Sequence, residues 1–223
     1  MPEELAPDVR LTRIYELLRV LVRIINRVVF RVSVEGSGRI PNKGPVIIAP
    51  VHRSFIDFFV ASEVTRRKLH YMTKDSLWEN RLLARLIPVL GGFPVSRGTA
   101  DREALRRAQR VLEAGEVLTM FPEGTRRDGP VVTDLLEGVA FLALRTGATI
   151  VPVGIGGSAS VMPKGSHLPR PRHIHLVVGE PITVPAPAAR SRVSRSQTHQ
   201  LTEQLATSIQ QLYDRALSVA GRQ

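Results

Sequence analysis

The sequence predicts an α/β fold: a largely parallel central sheet flanked by helices, preceded by an N-terminal amphipathic, membrane-associating helix. Three observations predict it. Short, nearly continuous apolar runs rich in β-branched residues, such as GPVIIAPV over 44–51 and ATIVPVGIGG over 148–157, read as buried strands. Segments of helical period separate these runs, and strands alternating with helices imply a parallel sheet. Finally, from Leu11 to Arg31, Arg19, Arg23, Arg27 and Arg31 recur every fourth residue, while Ile14, Leu18, Leu21, Val22, Ile25, Val28 and Val29 form a wide apolar face.

In chain order, the Leu11–Arg31 helix leads into a polar, glycine-rich connection, RVSVEGSGRIPNKG, and then into the strand 44–51. A helix is predicted from Ser54, with Ser54 as its N-cap. LHYMTK is a second strand, and SLWENRLLARLIPVLG is a helix stopped by Pro88 and Gly91. GGFPVSR is a strand or turn. The clearest helix is TADREALRRAQRVLEAGE, capped by Thr99 or Asp101 and ended at Gly115. EVLTMFPE is strand-like, TDLLEGVAFLALRTGA a helix, and HIHLVVGEPI a late strand after 148–157. PAPAARSRVSRS is a linker to an amphipathic closing helix. The organisation expected is an N-terminal helical segment over 1–36, an α/β core over 37–184, and a linker with a C-terminal helix packed on the core over 185–223.

The 223 residues carry 31 Lys+Arg against 20 Asp+Glu, a net charge of +11, which points to an anionic partner. With 5% aromatic residues and none interleaved with the arginine stripe, single-strand nucleic-acid binding finds little support. No zinc-finger spacing or helix-turn-helix pattern stands out, so no nucleic acid is expected as partner. The absence of cysteine excludes a disulfide framework, a zinc–thiolate site and a cysteine nucleophile. The acidic opening MPEELAPD is unlike a secretory signal, and no segment is apolar enough for a spanning helix of roughly 20 residues. The arginine-striped helix fits the headgroup region of a bilayer, apolar face down and arginines on lipid phosphates. The same periodicity also serves a helix packed on its own domain.

Chemistry concentrates where strands end, as it does in open α/β sheets. His52 follows the first buried strand, and Asp57 lies five residues on. If the chain folds back, Asp57 can accept a bond from His52 Nδ1–H and leave Nε2 as a general base. Equally, Ser54-Phe55-Ile56-Asp57 is a helix-start pattern that employs Asp57 without catalysis. In MFPEGTRRDG, Gly124 permits unusual backbone dihedrals, while Thr125 and Arg126 supply hydroxyl and guanidinium donors suited to a phosphate. There Glu123 can orient an arginine or bond a substrate hydroxyl; a plain polar turn reads as well. GGFPVSRG places Arg97 after an apolar run, and Lys164, Arg170 and Arg172 form a further basic cluster.

Together, His52-x4-Asp57, Gly92–Arg97, Phe121–Arg126 and Val151-Pro152-Val153 resemble, in this order, the four blocks of the glycerolipid acyltransferase family of 1-acylglycerol-3-phosphate acyltransferases. The F-P-E-G-T-R block matches letter for letter. The resemblance implies that His52 and Asp57 are catalytic and that Arg97, Thr125 and Arg126 hold the acceptor phosphate, with Glu123 and Gly124 in the same substrate-binding block. It implies acyl transfer from acyl-CoA or acyl-carrier protein, used as co-substrate, to a lysophospholipid acceptor, giving phosphatidate. No covalent acyl-enzyme, further cofactor or metal is needed. It also implies an oxyanion role for backbone amides near the histidine. A peripheral place on the cytoplasmic face of the cell membrane follows, with the Leu11–Arg31 helix on its anionic surface. Two positions depart from the family pattern: Val51 stands where asparagine is usual, and Leu136-Glu137 precede Gly138 where a lysine is common. The second keeps open an acyltransferase acting on another lysophospholipid or a glycolipid. A rival of another class is a non-catalytic basic membrane-binding module.

Overall fold

The computed structural model describes residues 9–95, 101–163, 168–185 and 193–221, with the backbone alone for 9–12. The first helix, α1, runs Val9–Val28, and Ser33–Glu35 form a short strand, β1. The buried run Val46–Pro50 is β2, every residue of it buried. It is followed by a single helical turn, α2 (Asp57–Val60), and by β3 (Leu69–Lys74). Then come α3 (Arg81–Val89), β4 (Gly92–Val95), α4 (Arg102–Glu113) and β5 (Val117–Thr119). The remainder comprises α5 (Gly138–Thr146), β6 (Thr149–Gly156), α6 (Ser158–Val161), β7 (His175–Val178) and the long α7 (Arg195–Ala220).

The strands form one sheet in the order β1-β7-β6-β2-β5-β3-β4. All pairings are parallel except β6 with β7. The predicted α/β class and the largely parallel sheet are therefore observed. The register that matters most is Val46↔Val117 to Ile48↔Thr119, because it lays β5 beside β2 and brings together loops far apart in sequence.

Local chemistry accounts for most boundaries. Asp101 caps α4 by accepting from Ala104 N–H at 2.9 Å, and Asn80 caps α3 by accepting from Leu82 and Leu83 N–H. Gly147 ends α5 in the left-handed conformation at φ 72°. Three expectations need correction. The helix predicted from Ser54 shrinks to α2, because the Ser54 hydroxyl donates to Met162 O rather than capping it. The helix predicted from Thr133 starts only at Gly138, since Asp134 takes a positive φ of 54° and Leu136 N–H donates to Pro122 O across the loop. Residues 33–35, read as part of a polar connection, pair with β7 as a sheet edge.

The orientation of α1 also differs from expectation. Its arginine side is turned toward the protein: Arg19 and Arg23 both donate to Thr65 O, and Arg23 and Arg27 face the buried Glu63 carboxylate. Asn26, buried, donates to Phe59 O and to Glu63. Its apolar side is exposed, with Leu17 at 71% and Val28 at 73%. The helix is amphipathic in reverse, held by polar contacts and open on its apolar face.

Candidate active site

His52 lies just beyond the carboxyl end of β2, and Asp57 opens α2 five residues later. The intervening chain folds back, so that His52 Nδ1 lies 3.0 Å from Asp57 Oδ2. A carboxylate only accepts, which makes Nδ1 the protonated nitrogen and leaves the Nε2 lone pair free. The same Oδ2 accepts Arg53 N–H and Ser54 N–H, each at 2.7 Å. Asp57 therefore serves both readings at once: it reaches back to close the turn and it orients the histidine. Phe121 stacks on the imidazole at 4.1 Å, and Phe58 meets it edge-on at 5.4 Å. Both members of the dyad are buried.

Beside this turn runs the 121–126 segment after β5. Gly124 takes φ +66°, and a Cβ there would meet the Leu136 side chain. Glu123 is buried, and both its oxygens are engaged within the protein. Arg53 Nη1 lies 2.6 and 2.7 Å from them, and Oε2 also accepts His52 N–H at 2.8 Å. Of the two roles open to Glu123, orienting an arginine fits this geometry; bonding a substrate hydroxyl does not. Thr125 and Arg126 are exposed on the same loop, and among the described residues neither side chain has a partner. Arg97 lies outside the described residues, as does Lys164; Arg170 and Arg172 are exposed.

The amides of His52, Arg53 and Ser54 are all committed to carboxylates. None of these three is left to stabilise an oxyanion, so the role implied for amides near the histidine would fall to N–H groups other than theirs. Sequence reasoning also missed Arg53, a buried guanidinium in the middle of the site, and Tyr213, whose ring it faces at 4.9 Å. An arginine directly after the histidine was the only signal for the first. Nothing in the local sequence signals the second.

Phe58 also lines an apolar cavity of about 360 Å³ between the sheet and the α1/α3 layer. Tyr15 and Val22 of α1, Tyr71 of β3, and Leu86 and Ile87 of α3 are among the residues of its walls. Burial holds the Tyr71 phenol far above its ordinary range, so it stays neutral there. The volume lies within the range of small-molecule pockets and the lining suits a hydrocarbon chain. A larger groove, about 710 Å³, runs between 179–185 and α7; neither His52, Asp57 nor any residue of 121–126 lines it. Among the described residues there is no cluster of His, Asp and Glu able to hold a metal ion.

A buried histidine–carboxylate dyad beside a donor-rich loop, with an apolar cavity on the far side of Phe58, has the geometry for proton transfer and room nearby for a hydrocarbon chain. The acyltransferase family model matches residues 31–156, more than half of the chain, including the 52–57 and 121–126 loops, and the chain belongs to that family. It is 26% identical over 152 residues to a 1-acyl-sn-glycerol-3-phosphate acyltransferase of Bacillus subtilis, covering 68% of this chain and 73% of that protein. It is 23% identical over 176 residues to the chloroplast 1-acyl-sn-glycerol-3-phosphate acyltransferase LPAT1 of Arabidopsis thaliana, 75% of this chain but only 49% of the relative's length. In structure it resembles the 1-acyl-sn-glycerophosphate acyltransferase PlsC of Thermotoga maritima, with a TM-score of 0.71 at 23% identity, over 94% of this chain and 83% of that one. The expected family and fold are thereby shown.

Proposed function

We propose that this chain moves a fatty acyl group from acyl-CoA or acyl-carrier protein to the free hydroxyl of a lysophosphatidate-type acceptor, forming phosphatidate in phospholipid biosynthesis. The observation that carries the reading is the 3.0 Å His52–Asp57 bond, with the His52 ring against Phe58, which also lines the apolar cavity. His52 Nε2 takes the hydroxyl proton, and the acceptor oxygen forms its bond to the thioester carbonyl carbon. The tetrahedral intermediate collapses by breaking the carbon–sulfur bond, and the imidazolium returns its proton to the leaving thiolate. Asp57 holds the ring and stabilises its cation. Thr125 and Arg126, exposed and without a partner among the described residues, bind the acceptor phosphate together with Arg97.

The lipid acceptor is met at a membrane. The exposed apolar face of α1 seats on the cytoplasmic leaflet as a peripheral contact, and the cavity between α1 and α3 receives the acyl chain from that side. Among the described residues no helix is long and apolar enough to cross a membrane.

Leu136 favours a second acceptor. It lies over Gly124, where a lysine would add charge for a phosphate, and an uncharged side chain there suits another lysophospholipid or a glycolipid. The test is acyl transfer from a long-chain acyl-CoA, and separately from acyl-carrier protein, to 1-acylglycerol-3-phosphate, scoring thiol and lipid product together. Phosphatidate formed by the wild type and reduced about 10²–10⁴-fold in His52→Ala supports the reading. Thiol release with product only on other lysolipids moves the acceptor. Activity untouched by His52→Ala overturns the mechanism, and no transfer from either donor favours a binding module.

A further inference from the structure

We infer that the C-terminal helix α7, which lies outside the 31–156 span that defines the family, is a positioning element of the active site. Tyr213 faces Arg53, Gln210 fixes the 129–132 loop to which Arg53 donates, and Arg53 holds the Glu123–His52 contact. For its activity readout the inference rests on the acyl-transfer reading above.

The chain of contacts can be followed atom by atom. Arg53 Nη1 donates to both oxygens of Glu123 and to His52 O. Its Nε donates to Gly129 O at 2.9 Å and its Nη2 to Val131 O at 3.0 Å. Those two carbonyls belong to a loop that α7 fixes from behind: Gln210 Oε1 accepts Val132 N–H at 2.7 Å, and Gln210 Nε2 donates to Pro130 O at 3.0 Å. Tyr213 lies over the guanidinium, where a ring face attracts a cation. Glu123, so held, accepts the His52 amide proton. Every polar link from α7 to the base is thus directional.

The seat of α7 is built with equal specificity. A Cβ on Gly154 would overlap the backbone of Leu212, and one on Gly156 that of Ala216, so the two glycines of β6 let the helix lie directly on the strand. Leu212 immediately precedes Tyr213, and this close approach fixes where the aromatic ring falls. A helix needed only to cover the core would require apolar contacts such as Leu205 and Ile209, which α7 also makes. It would not require a tyrosine over a buried arginine or a glutamine bonded at both ends to an active-site loop. A buried ion pair is a poor source of stability compared with apolar packing, and its forked geometry is what fixes orientation.

The test compares the full chain with Tyr213→Leu, Tyr213→Phe and Gln210→Ala, with folding checked by thermal melting. Tyr213→Leu is expected to lower kcat about ten- to a hundredfold, the scale of a small misplacement of a reacting group, with KM for both substrates little changed. Tyr213→Phe, which keeps the ring over Arg53 and loses only the long 3.4 Å bond from the phenol to Gly129 O, restores most of kcat. Hydrogen exchange at the His52–Ser54 amides is read in parallel. It is expected to quicken in Tyr213→Leu and Gln210→Ala and to return in Tyr213→Phe, whether or not the acceptor has been identified. A folded Tyr213→Leu protein with wild-type kcat and exchange overturns the inference. So does a rise in KM at constant kcat, which would put α7 in substrate binding instead. Should Tyr213→Leu fail to fold, Gln210→Ala decides by the same two measurements. A wild type without acyl transfer sinks the proposed function alone, because exchange still reports the clamp.

Discussion

At Asp57, one oxygen does most of the work: Oδ2 accepts from His52, Arg53 and Ser54, while Oδ1 is buried without a partner among the described residues. Replacing Asp57 with Asn alters both functions at once. If the amide presents its NH₂ to the imidazole, Nδ1 must become the acceptor, Nε2 carries the proton, and the base is lost. The expected result is a fall in kcat of about 10²–10⁴-fold, with KM for the acyl donor held, since the cavity lining is untouched. Steady-state kinetics of Asp57→Asn checks it; a loss confined to KM would contradict the orienting role. His52 and Asp57 were legible in the sequence because their spacing is short and their chemistry is specific to residue type. Arg53, Gln210 and Tyr213 were not, because what they do is set by partners 70 or more positions away, such as Glu123 for Arg53 and Val132 for Gln210.

At the scale of elements, strands were read more reliably than helix ends. The β2 and β6 runs are continuous in apolar residues because both faces of a parallel strand are covered. The α2 and α5 starts were misplaced for separate reasons: the Ser54 hydroxyl is drawn to Met162 O, and before α5 Asp134 takes a positive φ while Leu136 N–H donates to Pro122 O. The facing of α1 was illegible for a different reason: periodicity locates a stripe but does not say which side is covered. With Arg19 and Arg23 tied to Thr65 O, and Arg23 also facing Glu63, charge reversal there is expected to loosen α1 from the core, and it tests attachment rather than lipid binding. The informative change is on the other side. Leu17→Glu with Ile24→Glu, both exposed, should abolish co-sedimentation with anionic vesicles and leave the thermal midpoint nearly unaltered. Unchanged co-sedimentation would remove the bilayer contact from α1. On β6, Gly154→Val is expected to displace α7 and to lower kcat together with stability, because the overlap is with helix backbone and not with a movable side chain.

For the whole molecule, the net charge of +11 is carried on a sheet whose helices divide into two layers, and acid adds to it. Two partly or fully buried histidines set how the fold responds. Burial, helped by Lys68, lowers the pKa of His70; burial, helped by His175 and Arg31, lowers that of His173. In the folded chain both remain neutral at a pH where the unfolded chain already binds protons, near the ordinary value of 6.5. The unfolded state therefore takes up more protons as pH drops through that value, and stability that is fully present above it is lost below it. His173 sits where β7 meets β1, sharing the Ser33 hydroxyl with His175, so the β1–β7 edge of the sheet is the first part exposed to this penalty. The thermal midpoint should fall steadily from pH 7.5 to 5.5. It should fall less steeply in His173→Gln, which keeps a neutral donor and acceptor at that edge. A midpoint that rises on acidification, or an unchanged slope in the variant, would show that His173 does not govern the acid response.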